Sequence, residues 1–163
     1  MRKQSKKFEK PLKPWDKTRI EDEAKLLRNY GLRRKREIWK TESLLRNYRR
    51  IARDLAARRN KEKEKILLDK LFKIGLVGKD ATLDDVLALT IEKLLERRLQ
   101  TLVFKRGLAT TPKQARQYIV HGHVAVAGRK VKWPSTIIPL SDEGKISLYE
   151  RSKIKGGNFE KRP

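Results

Sequence analysis

The chain has 163 residues, enough for one ordinary domain or two small ones, and it carries 43 Lys and Arg against 20 Asp and Glu, a net charge of +23. Self-repulsion of that size opposes a compact state unless a polyanion neutralises it, and a phosphate backbone suits it better than a membrane surface. No apolar run approaches the roughly 18 residues that cross a bilayer, no signal-peptide or lipidation pattern is read, and the absence of Cys excludes disulfides and thiolate metal sites.

The charge is uneven. Residues 1–65 hold 24 basic and 10 acidic side chains and residues 96–140 hold nine and one, whereas 66–95 hold four and five. Two basic blocks flank a nearly neutral segment, which predicts two nucleic-acid-facing regions around a structural middle.

Residues 1–15 contain Pro11 and Pro14 and show no hydrophobic period. They read as an extended basic arm that orders on a partner, or as a frayed terminus in the free protein, with Trp15 as an anchor for its end. Thr18 followed by Glu21 has the spacing of a capping box opening a first helix, and Gly31 supplies a left-handed stop. A longer helix follows over about 33–59. Its apolar stripe is Leu44, Leu45, Tyr48, Ile51, Ala52 and Leu55, while Arg46, Arg49, Arg50 and Arg53 repeat with the same period on another face. A run of arginines is often only a solvated face. Here Glu42 and Asp54 alone oppose it, so the ridge is assigned to RNA contact.

A third helix spans 62–75, with Ile66, Leu67, Leu71, Phe72 and Ile74 apolar and Gly75 at its end. Thr82-Leu83-Asp84-Asp85 is a further capping signal before a short hydrophobic helix over about 83–89. The adjacent carboxylates Asp84 and Asp85 are explained by their place at a helix start, without acid–base chemistry.

A helix is predicted from about Thr90 to Arg106, ending at Gly107, with Leu95, Leu99, Leu102 and Val103 inward. Its cations Arg97, Arg98, Lys105 and Arg106 project elsewhere. Thr111 is then an N-cap, Pro112 the first helical residue and Gln114 the third, completing a capping box. Ala115, Tyr118 and Ile119 face inward, and Lys113, Arg116 and Gln117 share the opposite face, beside a helix start suited to a phosphate. Gly122 ends this helix and a strand begins at Val124. Ala127-Gly128 turns the chain, Lys130 to Trp133 returns, and Ile137-Ile138 and Lys145 to Tyr149 supply further strand material. His121 and His123 are the only histidines, and nothing nearby completes a coordination shell around them, so they are read as polar contacts at the hairpin entry. The class is therefore α+β: a basic arm (1–15), a helical domain (16–93), a small αα-β module (94–150) and a tail (151–163).

Leu95-Glu96-Arg97-Arg98-Leu99, Gly107-Leu108-Ala109, Gln114-Ala115-Arg116, His121-Gly122-His123-Val124 and Gly128-Arg129-Lys130-Val131 closely resemble the RNA-binding module named after small-subunit ribosomal protein four. Gly31-Leu32, Arg36-Glu37-Ile38-Trp39, the Leu44–Arg53 helix and Asp84-Asp85-Val86-Leu87 resemble the rest of that protein in its archaeal and eukaryotic branch. The resemblance covers roughly residues 10–158. It implies a primary rRNA-binding protein of the cytoplasmic small ribosomal subunit that binds a multi-helix junction in the 5′ domain of the rRNA. It further implies nucleation of subunit-body assembly, a place near the mRNA entry side, contact with ribosomal protein five and other small-subunit proteins, and a part in translational accuracy. No cofactor, membrane or small-molecule substrate is implied. Carried over by position, the RNA-facing set is Arg97, Arg98, Lys105, Arg106, Thr111, Lys113, Gln114, Arg116, Gln117, His121, His123, Arg129 and Lys130, to which the α-helical ridge adds Arg46, Arg49, Arg50 and Arg53. Some bacterial members hold zinc on an N-terminal cysteine cluster that this chain lacks. Many relatives have Asn-Gly where this chain has Ala127-Gly128.

An RNA-modifying enzyme would need a catalytic domain beyond the module, and the short basic helices that remain contain no nucleophile–base pair, phosphate-binding glycine loop or metal cluster. A pre-rRNA processing factor with the same module is the closer alternative.

Overall fold

The computed structural model describes residues 6–150 and 152. In chain order its elements are α1 (Lys17–Asn29), α2 (Lys35–Arg58), α3 (Lys61–Ile74), α4 (Leu83–Leu87), α5 (Ile91–Glu96), α6 (Leu99–Lys105), α7 (Pro112–His121), β1 (Val124–Val126), β2 (Arg129–Lys130), α8 (Leu140–Glu143) and β3 (Ile146–Leu148). The class is α+β.

Helix α2 organises the first half. Its Leu45, Tyr48, Ala52 and Leu55 recur at helical spacing and are buried against Leu67 and Leu71 of α3, Leu76, Val86 of α4, Leu89 and Leu94 of α5. Each such leucine contributes roughly 1.5–3 kcal/mol of transfer free energy, and this cluster holds four helices together. A second cluster joins Leu99, Leu102 and Val103 of α6 to Ala115 and Ile119 of α7, Val124 of β1, Ile138, and Ile146 of β3. A small third group of Leu32, Ile38 and Leu95 lies between them.

Helix α1 is tied to α2 by a buried carboxylate. Glu23 is 6% exposed and accepts from Arg19 Nε at 3.0 Å and Trp39 Nε1 at 2.8 Å, with Lys35 Nζ at 3.2 Å. Burial pushes its pKa up, but the hydrogen bonds from Trp39, Lys35 and Arg19 outweigh that and hold it below the usual carboxylate value.

The sheet is antiparallel, with order β2-β1-β3. Val126 pairs with Arg129 across the two-residue turn, and on the other side Val124, Ala125 and Val126 face Leu148, Ser147 and Ile146. Ala127 and Gly128 both have positive φ, +49° and +76°, as a type I′ hairpin requires. The alanine is thus the strained member of the pair.

Several expectations need correction. The single helix over 90–106 is two. Leu99 N donates to Thr136 O at 2.8 Å and Ile138 N to Arg97 O at 3.1 Å, so a crossing strap takes these backbone groups, and Arg98 is extended and bridged to Ile137. The capping box at Thr18 does not form: α1 starts at Lys17 after Asp16, and the Thr18 hydroxyl donates to Asp16 Oδ1. Gln114 reaches back to Thr110, both N–H and hydroxyl, rather than to the cap residue Thr111. Trp15 is 89% exposed and anchors nothing; Phe8 packs on Trp39 instead, with ring centroids 6.0 Å apart. Ile66 and Phe72 of α3 are exposed, because α3 has one packed side and they lie off it. The returning strand is only Arg129–Lys130, and Ile137 contributes one bridge rather than a strand.

Two substitutions separate backbone strain from close approach. Ala127→Asn should raise the melting temperature by about 1–3 °C, since Asn tolerates the left-handed conformation that costs Ala about 1 kcal/mol. Gly31→Ala should lower it by more than that gain. Gly31 has φ +58°, and a β-carbon there would stand 2.8 Å from the Pro112 backbone carbon, which cannot swing aside. Thermal melts of the two variants beside the unsubstituted chain check both.

Candidate nucleic-acid interface

The approach of Gly31 to Pro112 marks a joint between the helical half and the module, and polar side chains complete it. Glu37, on the first turn of α2, accepts from Arg98 Nη2 at 2.6 Å, Arg116 Nη1 at 3.0 Å and the Arg33 backbone N–H at 3.2 Å. Beside it the Gln100 side-chain amide lies 2.9–3.0 Å from the carbonyls of Tyr30, Gly31 and Pro112, and its oxygen accepts from Arg116 at 3.3 Å. Two N–H bonds on three carbonyls means one hydrogen is shared. Burial raises the Glu37 pKa, and the hydrogen bonds and charges of Arg116 and Arg98 more than reverse this, bringing it to about 2. Each half thus contributes one sign of charge to the joint.

Above the joint opens a cleft of about 630 Å³. One wall is α2, with Glu37, Lys40, Ser43, Leu44 and Asn47; the other is the module, with Leu94, Arg98, Arg116, Pro134, Ser135 and Ile137; and Lys7 of the N-terminal segment also lines it. Four cations face one carboxylate there, so a basic groove does lie beside the module. Lys7 and Lys40 were missed from the sequence because neither belongs to a periodic cationic face.

The predicted residues divide into two groups. Arg98 is 6% exposed within the Glu37 pair, and Arg97 donates to Glu143 at 2.7 Å and to the Ile138 carbonyl at 3.0 Å. Arg49 donates to the Leu89 carbonyl at 2.6 Å. The Nε atoms of all three are buried and have no hydrogen-bond partner among the described residues. These three side chains are therefore turned inward, contrary to the exposed positions that the periodicity assigns them. Arg116 is shared between the joint and the cleft.

Of the rest, Lys105 pairs with Glu96 at 3.2 Å, and Arg106 donates to the Gly144 and Ile146 carbonyls, yet both stay exposed. Lys113, Gln117, Arg129 and Lys130 are exposed, and Lys113 and Arg129 have no ion pair among the described residues. Lys130 lies over the Tyr149 ring at 5.4 Å, and its stem crosses Gly122 so closely that a β-carbon there would meet it. At the start of α7 the Thr111 hydroxyl accepts from Gln114 N at 3.2 Å and Pro112 has no N–H, so Lys113 N–H is the donor of that first turn with no acceptor among the described residues. The His121 and His123 rings stack 6.3 Å apart, and His123 Nδ1 is 2.9 Å from the Ser152 hydroxyl. Among the described residues no three His, Cys, Asp or Glu side chains group so as to hold a metal ion. Among the described residues no helix is long and apolar enough to cross a membrane.

The α2 ridge does not open into the cleft. At about 100° per residue, Lys40, Leu44 and Asn47 share the cleft side, while Arg46, Arg49 and Arg53 fall roughly a third to a half of a turn away. Arg50 lies between and donates to Asn47 at 3.2 Å. Arg46 is exposed and paired with Glu42 at 2.7 Å and Glu9 at 3.0 Å, so the N-terminal segment runs along this ridge. Arg53 is exposed, its Nε 3.4 Å from the Arg49 carbonyl. The chain thus offers two cationic faces in a fixed mutual orientation.

Two family models match the chain. Residues 2–96 match the family model described as the ribosomal protein S4/S9 N-terminal domain, and residues 97–143 match the S4 domain. The small ribosomal subunit protein uS4 of Methanosphaerula palustris is 48% identical over 160 residues, covering 93% of this chain and 88% of that one. Its counterpart in Korarchaeum cryptofilum is 47% identical over 157 residues and 95% of both chains. That of Saccharolobus islandicus is 49% identical over 158 residues, 94% of this chain and 87% of the other.

The Glu37 joint predicts a pH signature. Its folded pKa of about 2 lies below the ordinary carboxylate value of 4.5, so its stabilisation is present above pH 4.5 and is lost as pH falls through about 2. Glu37→Gln should cost roughly 3 kcal/mol at pH 7, with the gap from the unsubstituted chain roughly halved by pH 3. Urea unfolding of both proteins from pH 7 to 3 measures it; a pH-independent gap would remove Glu37 as the charged centre of the joint.

Proposed function

The chain belongs to the ribosomal protein S4 family, and from that premise we propose that it is a primary rRNA-binding constituent of the small ribosomal subunit. The family is one of ribosomal proteins, not of enzymes. The observation that carries the reading is the joint itself. Cationic surfaces on α2 and on the module are locked at one angle by Glu37 and Gln100, so the protein presents a shape as well as a charge. RNA duplex major grooves are too narrow for side chains to read, and a rigid pair of cationic faces suits phosphates arranged around a helical junction.

In this reading the partner is a multi-helix junction in the 5′ domain of small-subunit rRNA. The exposed set Arg46, Arg50, Arg53, Lys105, Arg106, Lys113, Gln117, Arg129 and Lys130 meets phosphate, with His121 and Thr111 at its margin. Arg97, Arg98 and Arg49 hold the elements that carry that set. Binding before other proteins nucleates assembly of the subunit body in the cytoplasm, and contacts with ribosomal protein five and other neighbours link the protein to translational accuracy. The relatives at 47–49% identity carry small-subunit names, which favours this reading over a pre-rRNA processing factor. Cosedimentation with mature small subunits supports it, and recovery only in precursor particles would replace it.

Binding to a 5′-domain rRNA transcript should be steeply salt-dependent. With about 6–10 phosphate contacts, affinity falls on the order of 10³–10⁵-fold between 50 and 200 mM salt by the rule established on DNA. Replacing Arg46, Arg50 and Arg53 together by Ala should flatten the log–log salt slope by about two to three while leaving the melting temperature nearly unchanged, because exposed pairs contribute little. Filter binding across a salt series reads both; an unchanged slope removes the α2 ridge from the interface.

A further inference from the structure

Several large apolar side chains outside the core are left exposed, and one of them immediately precedes two residues that line the cleft. Trp133 is 70% exposed, and it is held on a stiff mount. On its N-terminal side Val131 N donates to Val124 O of β1 at 3.1 Å. On its C-terminal side the Trp133 carbonyl accepts from both Thr136 N–H and the Thr136 hydroxyl, at 3.3 and 2.9 Å, closing a turn. The Pro134 and Thr136 carbonyls accept from Gln100 N and Leu99 N at the start of α6. Trp133 therefore stands where the hairpin hands over to the strap, and its next two residues, Pro134 and Ser135, form the rim of the cleft lined by Lys7, Lys40, Arg98 and Arg116.

An exposed indole on a rigid turn leaves a large apolar face in water, which a partner would cover. The nature of the partner follows from the surroundings. Residues 96–140 carry nine cations and one carboxylate, and Lys132, the residue before the tryptophan, is exposed. A polymer that is both anionic and furnished with flat apolar faces is a nucleic acid whose bases are out of the helical stack. Exposed Ile66 and Phe72, by contrast, lie in the near-neutral segment and lack such a setting.

We propose that Trp133 is a base-stacking site: its indole takes an unpaired base at the mouth of the cleft, while Lys7 and Lys40 of the cleft wall hold the flanking phosphates. The inference rests on the rRNA reading above and names the kind of nucleotide that reading requires, one unstacked at the junction. Aromatic stacking of this kind is tolerant of base identity and contributes without ionic contacts.

The test uses the full chain and a transcript of the small-subunit rRNA 5′ domain, with Trp133→Ala, Trp133→Phe and Trp133→Leu. The Ala variant should bind roughly 5–100-fold more weakly with an unchanged salt slope, since no phosphate contact is lost. Phe should recover most of the affinity, whereas Leu, of comparable apolar bulk but no π face, should not. Tryptophan emission should be quenched on RNA addition in the unsubstituted chain by more than in the Phe variant. Melting temperatures should be alike, because the side chain is outside the core. Failure of the unsubstituted chain to bind would sink the parent reading and this one with it. Binding by the unsubstituted chain together with equal affinity of the Ala or Leu variant would overturn this inference alone. Unchanged RNA affinity with lost incorporation into small subunits would likewise overturn it and assign the indole to a protein neighbour.

Discussion

The fixed angle between the two halves of this molecule depends on a joint made by two polar groups, the carboxylate of Glu37 and the amide of Gln100. Moving a carboxylate and a buried guanidinium out of water costs several kcal/mol, and the attraction between them repays this only when geometry and hydrogen bonding are nearly complete. Here Glu37 accepts two guanidinium groups and a backbone N–H, while Gln100 bridges carbonyls of the α1–α2 connection and of α7. A hydrophobic contact of equal area would hold the two halves together but would let them slide. The directional bonds set one angle.

The joint also explains how a chain of this charge folds at all. Some carboxylates sit where they tie one element to another. Glu23 receives Arg19, Lys35 and Trp39 across α1 and α2. Glu143 receives Arg97 across α8 and the α5–α6 corner. In each case a cation that would repel its neighbours becomes a brace between elements, and breaking such a pair would leave a buried charge exposed to its own desolvation cost. The remaining cations, at the rim and on the α2 ridge, keep their repulsion until phosphate removes it. Arginines that brace the interior and arginines left exposed can be adjacent in sequence, as Arg49 and Arg50 are.

That adjacency is why the sequence was only partly legible. Most features decided within a turn or two of helix were readable, the boxes at Thr18 and Gln114 excepted: the Thr111 cap with Pro112 behind it, the Gly122 stop, the α2 stripe, the Thr82–Asp85 box and the two-residue turn at Ala127-Gly128. Features decided by a distant segment were not. The break between α5 and α6 is imposed by residues 136–138, some 40 positions downstream, and the helical period of the leucines runs straight across it. Arg98 looked like one more surface cation because its partner lies 61 residues earlier. Arg49 stands on the flank of α2 nearest the core, about 75° from the buried stripe at 100° per residue, which is enough to turn it inward to Leu89. Periodicity gives a face, but which neighbour covers that face is a property of the tertiary fold.

A rigid frame changes what electrostatics can accomplish. Cations on a flexible chain adjust to any phosphate pattern, so their affinity carries no discrimination between one RNA and another. When the same cations are fixed at two faces, an RNA whose phosphates do not match both must give up one set of contacts, and the cost appears as specificity. An aromatic plate at the rim of the cleft adds a demand of a different kind, because an unstacked base can be satisfied only where the RNA already offers one. Fixed charge selects the arrangement of helices, and a fixed ring selects the irregularity at their meeting point. A helical junction meets both requirements, whereas a continuous duplex meets neither and an unstructured strand meets only the second.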